Sequence, residues 1–137
     1  MFKPKDKSTF KYWFAHWAAY NMTALNLGYW KFKYLFHDIE KPFLLVLLGD
    51  YEKVRQFHRK HNKHHLTYKN KDKIDWEGLV IDWECSRFTK EDSPKTAKEL
   101  YEYWITVRYR EGRCSSEMAT LMMYHIPPIL QKFGLKK

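Results

Sequence analysis

Cysteine, glycine and proline are scarce in this sequence. The 137 residues include two cysteines, five glycines and five prolines. Cys85 and Cys114 do not form a CxxC pair, so the sequence indicates neither a disulfide framework nor a thiolate zinc site. This cysteine usage favours a reducing, cytoplasmic setting. Most of the glycines and prolines fall between stretches of periodic apolar residues, where such residues commonly separate helices.

Long hydrophobic runs are also missing. The longest uninterrupted apolar run covers residues 43–48, which is far shorter than the roughly 20 residues of a membrane-spanning helix. The first ten residues, MFKPKDKSTF, lack the apolar segment of a secretion signal. We therefore expect a soluble cytoplasmic protein that does not bind a membrane.

Aromatic residues and positive charges are abundant. Aromatic residues make up 18% of the chain and hydrophobic residues 45%, which argues against disorder. The length fits one domain spanning residues 1–137. A net charge of +9 favours anionic partners such as nucleotides, nucleic acid or phosphorylated metabolites. Residues 52–73 concentrate eight Lys or Arg residues and four of the seven histidines, so positive charge and candidate metal ligands share one segment.

The apolar periodicity and the capping residues predict an all-α fold. No stretch shows the sustained alternation of a strand, so we expect a compact bundle of about six to seven helices. Ser8, Asp50 and Ser115 or Ser116 are candidate N-caps, and Pro127-Pro128 should kink or break the last helix. The predicted helices cover residues 8–27, 29–37, 40–49, 50–61 or 50–65, 74–88, 93–110 and 115 onward.

Two groups of residues carry candidate metal donors near the N-terminal helices. His37-Asp38 places an imidazole and a carboxylate on adjacent residues, and both are good donors to divalent ions. Consecutive positions of a regular helix diverge by about 100°, so such a pair works where a helix ends. His16 lies among aromatic residues and is either a further ligand or a half-buried histidine bonded to backbone.

Asp82 lies in an unusually apolar segment, residues 79–83. A carboxylate buried there needs a cation nearby. A metal ion and a salt bridge to Arg87 or Arg108 satisfy this need equally well.

The histidine-rich segment supplies further candidates. His58, His61 and His65 recur at a spacing that places them on one helical face if the helix extends that far. The alternative is a set of solvated histidines beside lysines.

The order of these residues resembles the HD superfamily of metal-dependent phosphohydrolases, over residues 16–82. A histidine is followed about twenty residues later by His-Asp and then by a distal aspartate. The segment HDIEK, residues 37–41, is similar to the HDIGK element of the HD-GYP phosphodiesterases. It departs at Glu40, where that subgroup has glycine, and the GYP element is absent. A closer likeness is to small HD-like proteins of bacteria and phages, which show HD, then a segment ending in HH, then Asp-Trp.

The resemblance implies a site that binds one or two divalent ions (Mn, Fe, Zn, Ni, Co or Mg). The first ion would be held by His16, His37, Asp38 and Asp82. His61, His64 and His65 are candidate ligands of a second ion. The implied activity is hydrolysis of a nucleotide or related small phosphate ester, with His37, Asp38 and His61 as catalytic residues.

Basic residues near the implied site are candidates for binding the phosphate. Lys41 follows the His-Asp pair by three residues, and its ammonium group can donate to a phosphate oxygen. Arg55, Arg59 and Lys60 are expected to line the approach, although a solvated basic surface explains them equally simply.

Two other functions fit the same sequence. Some HD-like proteins, including inositol oxygenase, hold two irons with an extra pair of histidines, so a di-iron oxygenase is one alternative. The other is a non-enzymatic helical protein that binds nucleic acid through its basic and aromatic residues.

Overall fold

The computed structural model describes residues 10–36, 38, 41, 43, 47, 49–61, 65–66, 73–86 and 96–135. These residues form helices and turns and no strand, so the predicted all-α class is confirmed. The α-helices number five within these ranges, slightly fewer than the six to seven expected. They are α1 (Phe10–Asn26), α2 (Tyr51–His61), α3 (Trp76–Cys85), α4 (Ala97–Tyr103) and α5 (Ser116–Lys132), with a 3₁₀ helix at Phe32–Phe36 and a π-helical turn at Trp104–Arg108.

Short polar side chains and one glycine define several helix ends, as the sequence predicts. The Asp50 carboxylate accepts a hydrogen bond from Glu52 N (3.0 Å) before α2. The Ser115 hydroxyl accepts one from Met118 N (3.1 Å) and caps α5. Gly28 has φ +75° just after α1, a left-handed conformation that glycine adopts without steric cost. These local interactions satisfy backbone groups that a helix end leaves exposed.

The helix predicted to begin near residue 93 begins instead at Ala97. Thr96 is its N-cap and accepts a hydrogen bond from Glu99 N (3.1 Å). The buried Glu84 carboxylate of α3 accepts a second bond, from Ala97 N (2.9 Å). The start therefore has a local determinant, the Thr96 cap, and a tertiary one, because Glu84 belongs to another helix.

Two further helix predictions need adjustment near the N-terminus. The predicted helix over residues 29–37 is replaced by the short 3₁₀ helix at Phe32–Phe36. The helix predicted over residues 40–49 is supported by helical backbone at Lys41, Phe43 and Leu47. Gly49, where this helix is predicted to stop, is not helical and has φ +65°. The start of the helix, like the predicted cap Ser8, lies outside the described residues.

α5 continues through Pro127 and Pro128, so the predicted break does not occur. Proline has no N–H, so these residues cannot donate to the carbonyls of Met123 and Tyr124. Both of those residues are exposed, and water can hydrate their carbonyl groups. The buried Ile126 side chain keeps this part of the helix against the core.

α3 is the central helix. Eight of its ten residues are buried, and it packs against α1, α4 and α5. A helix that is apolar on nearly all sides is stable only inside a protein. Full burial of Leu79, Val80 and Ile81 contributes about 1.5–3 kcal/mol each. Asp82, Glu84 and Cys85 are therefore brought into the core by their apolar neighbours.

None of the helices in the described ranges is both long and apolar enough to cross a membrane.

Candidate metal centre

Three side chains spaced four residues apart on α1 hold the segment that leads to Asp38. Residues at this spacing lie on one face of a helix, and all three donate to backbone carbonyls of residues 34–38. The segment therefore runs antiparallel to α1, beside His16. The bonds join Trp13 Nε1 to Asp38 O (2.8 Å), Trp17 Nε1 to Leu35 O (2.9 Å) and Asn21 Nδ2 to Tyr34 O (3.0 Å).

Asp38 has a left-handed backbone conformation, with φ +55°. Aspartate tolerates this region better than most residues, but a non-glycine residue held there costs about 1–3 kcal/mol. Its side chain is 1% exposed. The bond from Trp13 to the Asp38 carbonyl helps to hold the residue in this conformation, and conformations of this kind concentrate at functional sites.

His16 of α1 joins two carboxylates that come from different parts of the chain. Its Nε2 lies 3.2 Å from Asp38 Oδ2 and 3.0 Å from Asp82 Oδ1. The exposed fractions of His16 and Asp82 are 6% and 7%. Two carboxylates removed from water and facing one imidazole nitrogen form a site that requires positive charge.

The other side of the Asp38 carboxylate faces a second histidine. His58 Nε2 of α2 lies 3.0 Å from Asp38 Oδ1, and the His65 ring stands nearly perpendicular to the His58 ring, with centroids 4.7 Å apart. Lys41 Nζ lies 3.2 Å from Asp38 Oδ2. Both oxygens of the buried Asp38 carboxylate therefore have cationic or imidazole neighbours. Oδ2 contacts His16 and Lys41, and Oδ1 contacts His58.

The charges around His16 alter its protonation. Burial by itself lowers the pKa of this imidazole, but Cys85, Asp38 and Asp82 together raise the pKa well above its usual value near 6.5. In the metal-free protein His16 is therefore a cation at neutral pH. Together with the Lys41 ammonium group it balances the two negative charges.

The donors in this cluster suit a divalent ion. One imidazole nitrogen and two carboxylate oxygens form the mixed nitrogen and oxygen set that binds zinc, iron or manganese. The donor atoms of His16, Asp82 and Cys85 also lie within 4.8 Å of one another. A divalent ion at His16 Nε2 would replace the imidazole proton and supply two positive charges in place of one.

Three of the four residues predicted to hold the first ion, His16, Asp38 and Asp82, are together. The fourth, His37, and the predicted second-ion ligand His64 lie outside the described residues. Asp82 pairs with His16. Arg108 stacks over the rings of Tyr103 and Trp104, at 5.2 Å from each, and Arg87 lies outside the described ranges.

The histidine that α2 brings to Asp38 is His58, which the sequence placed on the same helical face as His61. His61 is exposed at the last residue of α2, with Nδ1 2.9 Å from Phe57 O and its ring stacked on Phe57. Its catalytic role stays a prediction. Val54 and His58, four residues apart, are both buried. Because Phe57 precedes His61 by the same spacing, the sequence carries no signal that separates the buried histidine from the exposed one.

The basic residues proposed to bind phosphate have different surroundings. Among these four residues, Lys41 is the one that contacts the cluster, through Asp38. Arg55 Nη2 pairs with Glu52 Oε1 at 2.8 Å on the surface of α2. Arg59 and Lys60 are exposed on the same helix. Lys41 is therefore the basic residue best placed to act at the site.

Comparisons of the chain with protein-family models, with curated proteins and with solved structures found no match. The resemblance to the HD superfamily stays a prediction from the sequence, and the function has to be inferred from the geometry of the cluster.

Proposed function

We propose that this protein is a metal-dependent phosphohydrolase of the HD type, acting on a nucleotide or a related small phosphate ester. His16, Asp38 and Asp82 hold the ion, together with His37 as the sequence predicts. The observation that carries the proposal is the contact of one nitrogen, His16 Nε2, with two buried carboxylates from separate segments.

The cluster is better explained as a metal site than as a structural ion pair. A simple ion pair joins one nitrogen to one carboxylate, whereas here α1, α3 and the segment around Asp38 bring one imidazole nitrogen and two carboxylate oxygens together at one point. Buried ion pairs add little net stability compared with apolar residues of the same size. The left-handed backbone of Asp38 adds a further cost. A function in binding accounts for both costs.

A divalent ion at this position supplies a water of lowered pKa and polarises a phosphoryl oxygen. The protein's own residues orient the reactants. Asp38 is fixed through its carbonyl by Trp13 and through Oδ1 by His58. Lys41 is 22% exposed, so its ammonium group can turn from Asp38 toward a phosphate oxygen and donate a charge-assisted hydrogen bond.

The His58 and His65 pair is the observation that favours the alternative of a di-iron oxygenase. His58 contacts Asp38 Oδ1, whereas His16 contacts Oδ2, and His65 lies against His58. His58 and His65 are therefore the residues that would hold a second ion. Two ions also serve hydrolysis, by stabilising both the attacking and the leaving oxygen. Bound iron with oxygen consumption would identify the oxidative reaction.

The test combines metal analysis with hydrolysis assays on the purified protein. We expect at least one divalent ion per chain and metal-dependent release of phosphate, or of a nucleotide, from a panel of phosphate mono- and diesters. His16→Gln and Asp82→Asn should each abolish hydrolysis and weaken metal binding. His125→Gln is the matched control, because the His125 ring stacks on Trp76 and meets Tyr124 edge-on and does not contact the carboxylates in the described structure.

The proposal fails if the wild-type protein binds no divalent ion. It also fails if His16→Gln leaves hydrolysis at the level of His125→Gln. Binding of oligonucleotides that weakens steeply with salt and ignores chelators, without hydrolysis, would identify a nucleic-acid-binding protein instead.

A further inference from the structure

Cys85 contacts the Nδ1 side of the His16 imidazole, whereas the Asp38 and Asp82 carboxylates contact Nε2. Its Sγ is 3.9 Å from His16 Nδ1 and 3.1 Å from Asp82 O. The residue is 0% exposed and follows Asp82 by three positions on α3. Cys85 therefore contacts two of the three described metal-binding residues without facing the point where their donor atoms meet.

The two contacts of Cys85 define a direction of hydrogen bonding. The thiol S–H donates to the Asp82 carbonyl, because a carbonyl oxygen can only accept. The sulfur lone pairs are then available to accept the N–H at His16 Nδ1. A chain of two weak hydrogen bonds results, from His16 to Cys85 and from Cys85 to the backbone of Asp82.

This chain fixes which nitrogen of His16 binds the ion. A histidine ligand is oriented by the hydrogen bond that its second nitrogen makes. With a proton on Nδ1, the Nε2 lone pair points toward Asp38 Oδ2 and Asp82 Oδ1. The same Nδ1 contact also serves the cationic imidazole of the metal-free protein, so the ring need not turn when an ion binds.

We propose that Cys85 is a positioning residue for His16, and not itself a ligand of the ion. The proposal rests on the proposed metal-dependent function. The two ring nitrogens point to opposite sides of the imidazole, so an ion bound at Nε2 lies on the far side of the ring from the Cys85 sulfur. A thiol placed behind a histidine ligand takes the part usually filled by a carboxylate or a backbone carbonyl.

The first experiment uses the wild-type protein and cobalt(II), under reducing conditions. We expect cobalt to bind without the near-ultraviolet charge-transfer band that a thiolate ligand produces. Nitrogen-15 NMR of the zinc-loaded protein should show His16 protonated at Nδ1. A thiolate band, or a proton at Nε2, overturns the proposal, and neither reading depends on a variant that has to fold.

The second experiment compares zinc affinities, measured by chelator competition, for Cys85→Ala, Cys85→Ser and Cys114→Ala. Loss of an outer partner of a histidine ligand typically weakens metal binding about 10–100-fold, and we expect this loss for Cys85→Ala. Serine retains a hydroxyl that accepts from Nδ1 and should restore part of the affinity. Cys114, the other buried cysteine, bonds to Ser115 O, so Cys114→Ala should bind zinc as the wild type does.

The outcomes separate the two proposals. If the wild-type protein binds no divalent ion, the proposed function fails. If it binds zinc and Cys85→Ala binds zinc as tightly as Cys114→Ala, only the positioning role of Cys85 is overturned. Thermal unfolding of the metal-free variants shows whether a loss of zinc affinity only reflects a loss of stability. A purely structural role of Cys85 would lower stability without changing which nitrogen of His16 carries the proton.

Discussion

Replacing Trp13 by phenylalanine tests whether α1 positions Asp38 for metal binding. The change keeps an aromatic ring and removes the bond from Nε1 to the Asp38 carbonyl. A partly buried carbonyl that loses its partner costs about 1–3 kcal/mol. The same bond helps to hold Asp38 at φ +55°, a conformation that needs support from its surroundings.

We expect Trp13→Phe to weaken zinc binding by a factor of about 5–30, which corresponds to roughly 1–2 kcal/mol. The assay is zinc titration by chelator competition, with urea unfolding of the metal-free protein measured in parallel. Trp17→Phe is the matched control, because Trp17 makes the same kind of bond one helical turn away, to Leu35 O. The control should lose stability while its zinc affinity stays within about threefold of wild type.

Equal zinc affinities for Trp13→Phe and Trp17→Phe would refute the reasoning. That result would mean that Asp38 keeps its position through its side-chain contacts alone. A larger loss of affinity in Trp17→Phe would show that the segment moves as a unit and that the Asp38 carbonyl has no special part.

Three further predictions concern the charges and the helices. Asp38→Asn keeps a residue that tolerates the left-handed conformation but leaves His16, His58 and Lys41 without their shared carboxylate. Urea unfolding should show that the metal-free variant is about 3–5 kcal/mol less stable than the wild type. Unchanged stability would contradict the ion pairs at Asp38. Burial lowers the pKa of His16, but Cys85, Asp38 and Asp82 raise it well above its usual value. The protonated His16 therefore contributes its full stabilisation of the metal-free protein below about pH 6.5, and this contribution is lost as the pH rises through the raised pKa. His16→Gln should remove this pH dependence, and an equally steep loss of stability in that variant would refute the prediction. Pro128→Ala should stabilise α5 by roughly 1–2 kcal/mol. Alanine restores a helical N–H, and this gain exceeds the stability lost because the unfolded chain becomes more flexible. A lower unfolding midpoint would show that the proline packs better than its exposed position suggests.

The fold could be predicted from the sequence where its determinants are local. The caps at Asp50 and Ser115 and the glycine after α1 depend on residues within a few positions of each helix end. The helix start at Ala97 is predicted a few residues too early: Thr96 and Glu99 form a local capping pattern, but the bond from Ala97 N to Glu84 comes from another helix and has no local signal. The continuity of α5 through its prolines depends on water reaching two carbonyls, which only the packed structure defines.

In the candidate site, too, the residues with a local sequence signal could be predicted and those that depend on tertiary contacts could not. Asp82 stood out because a carboxylate amid apolar residues needs a cation, and the partner found is His16. His58 was harder to distinguish from His61, since both positions fit one helical face. The difference arises because α2 ends at His61 while His58 is packed inside. Cys85 carried no local signal, since its contact with His16 joins positions that are 69 residues apart.

Asp38 contacts His16 of α1 through one carboxylate oxygen and His58 of α2 through the other, so it links these two helices. Within the described ranges, α2 makes no close backbone contact with another helix, and His58 ties it to the cluster through Asp38. Whatever occupies the cluster therefore also sets how firmly α2 is docked. Chelation should then speed amide hydrogen exchange along α2 as one cooperative unit, while the amides of α3, enclosed by three helices, keep their protection.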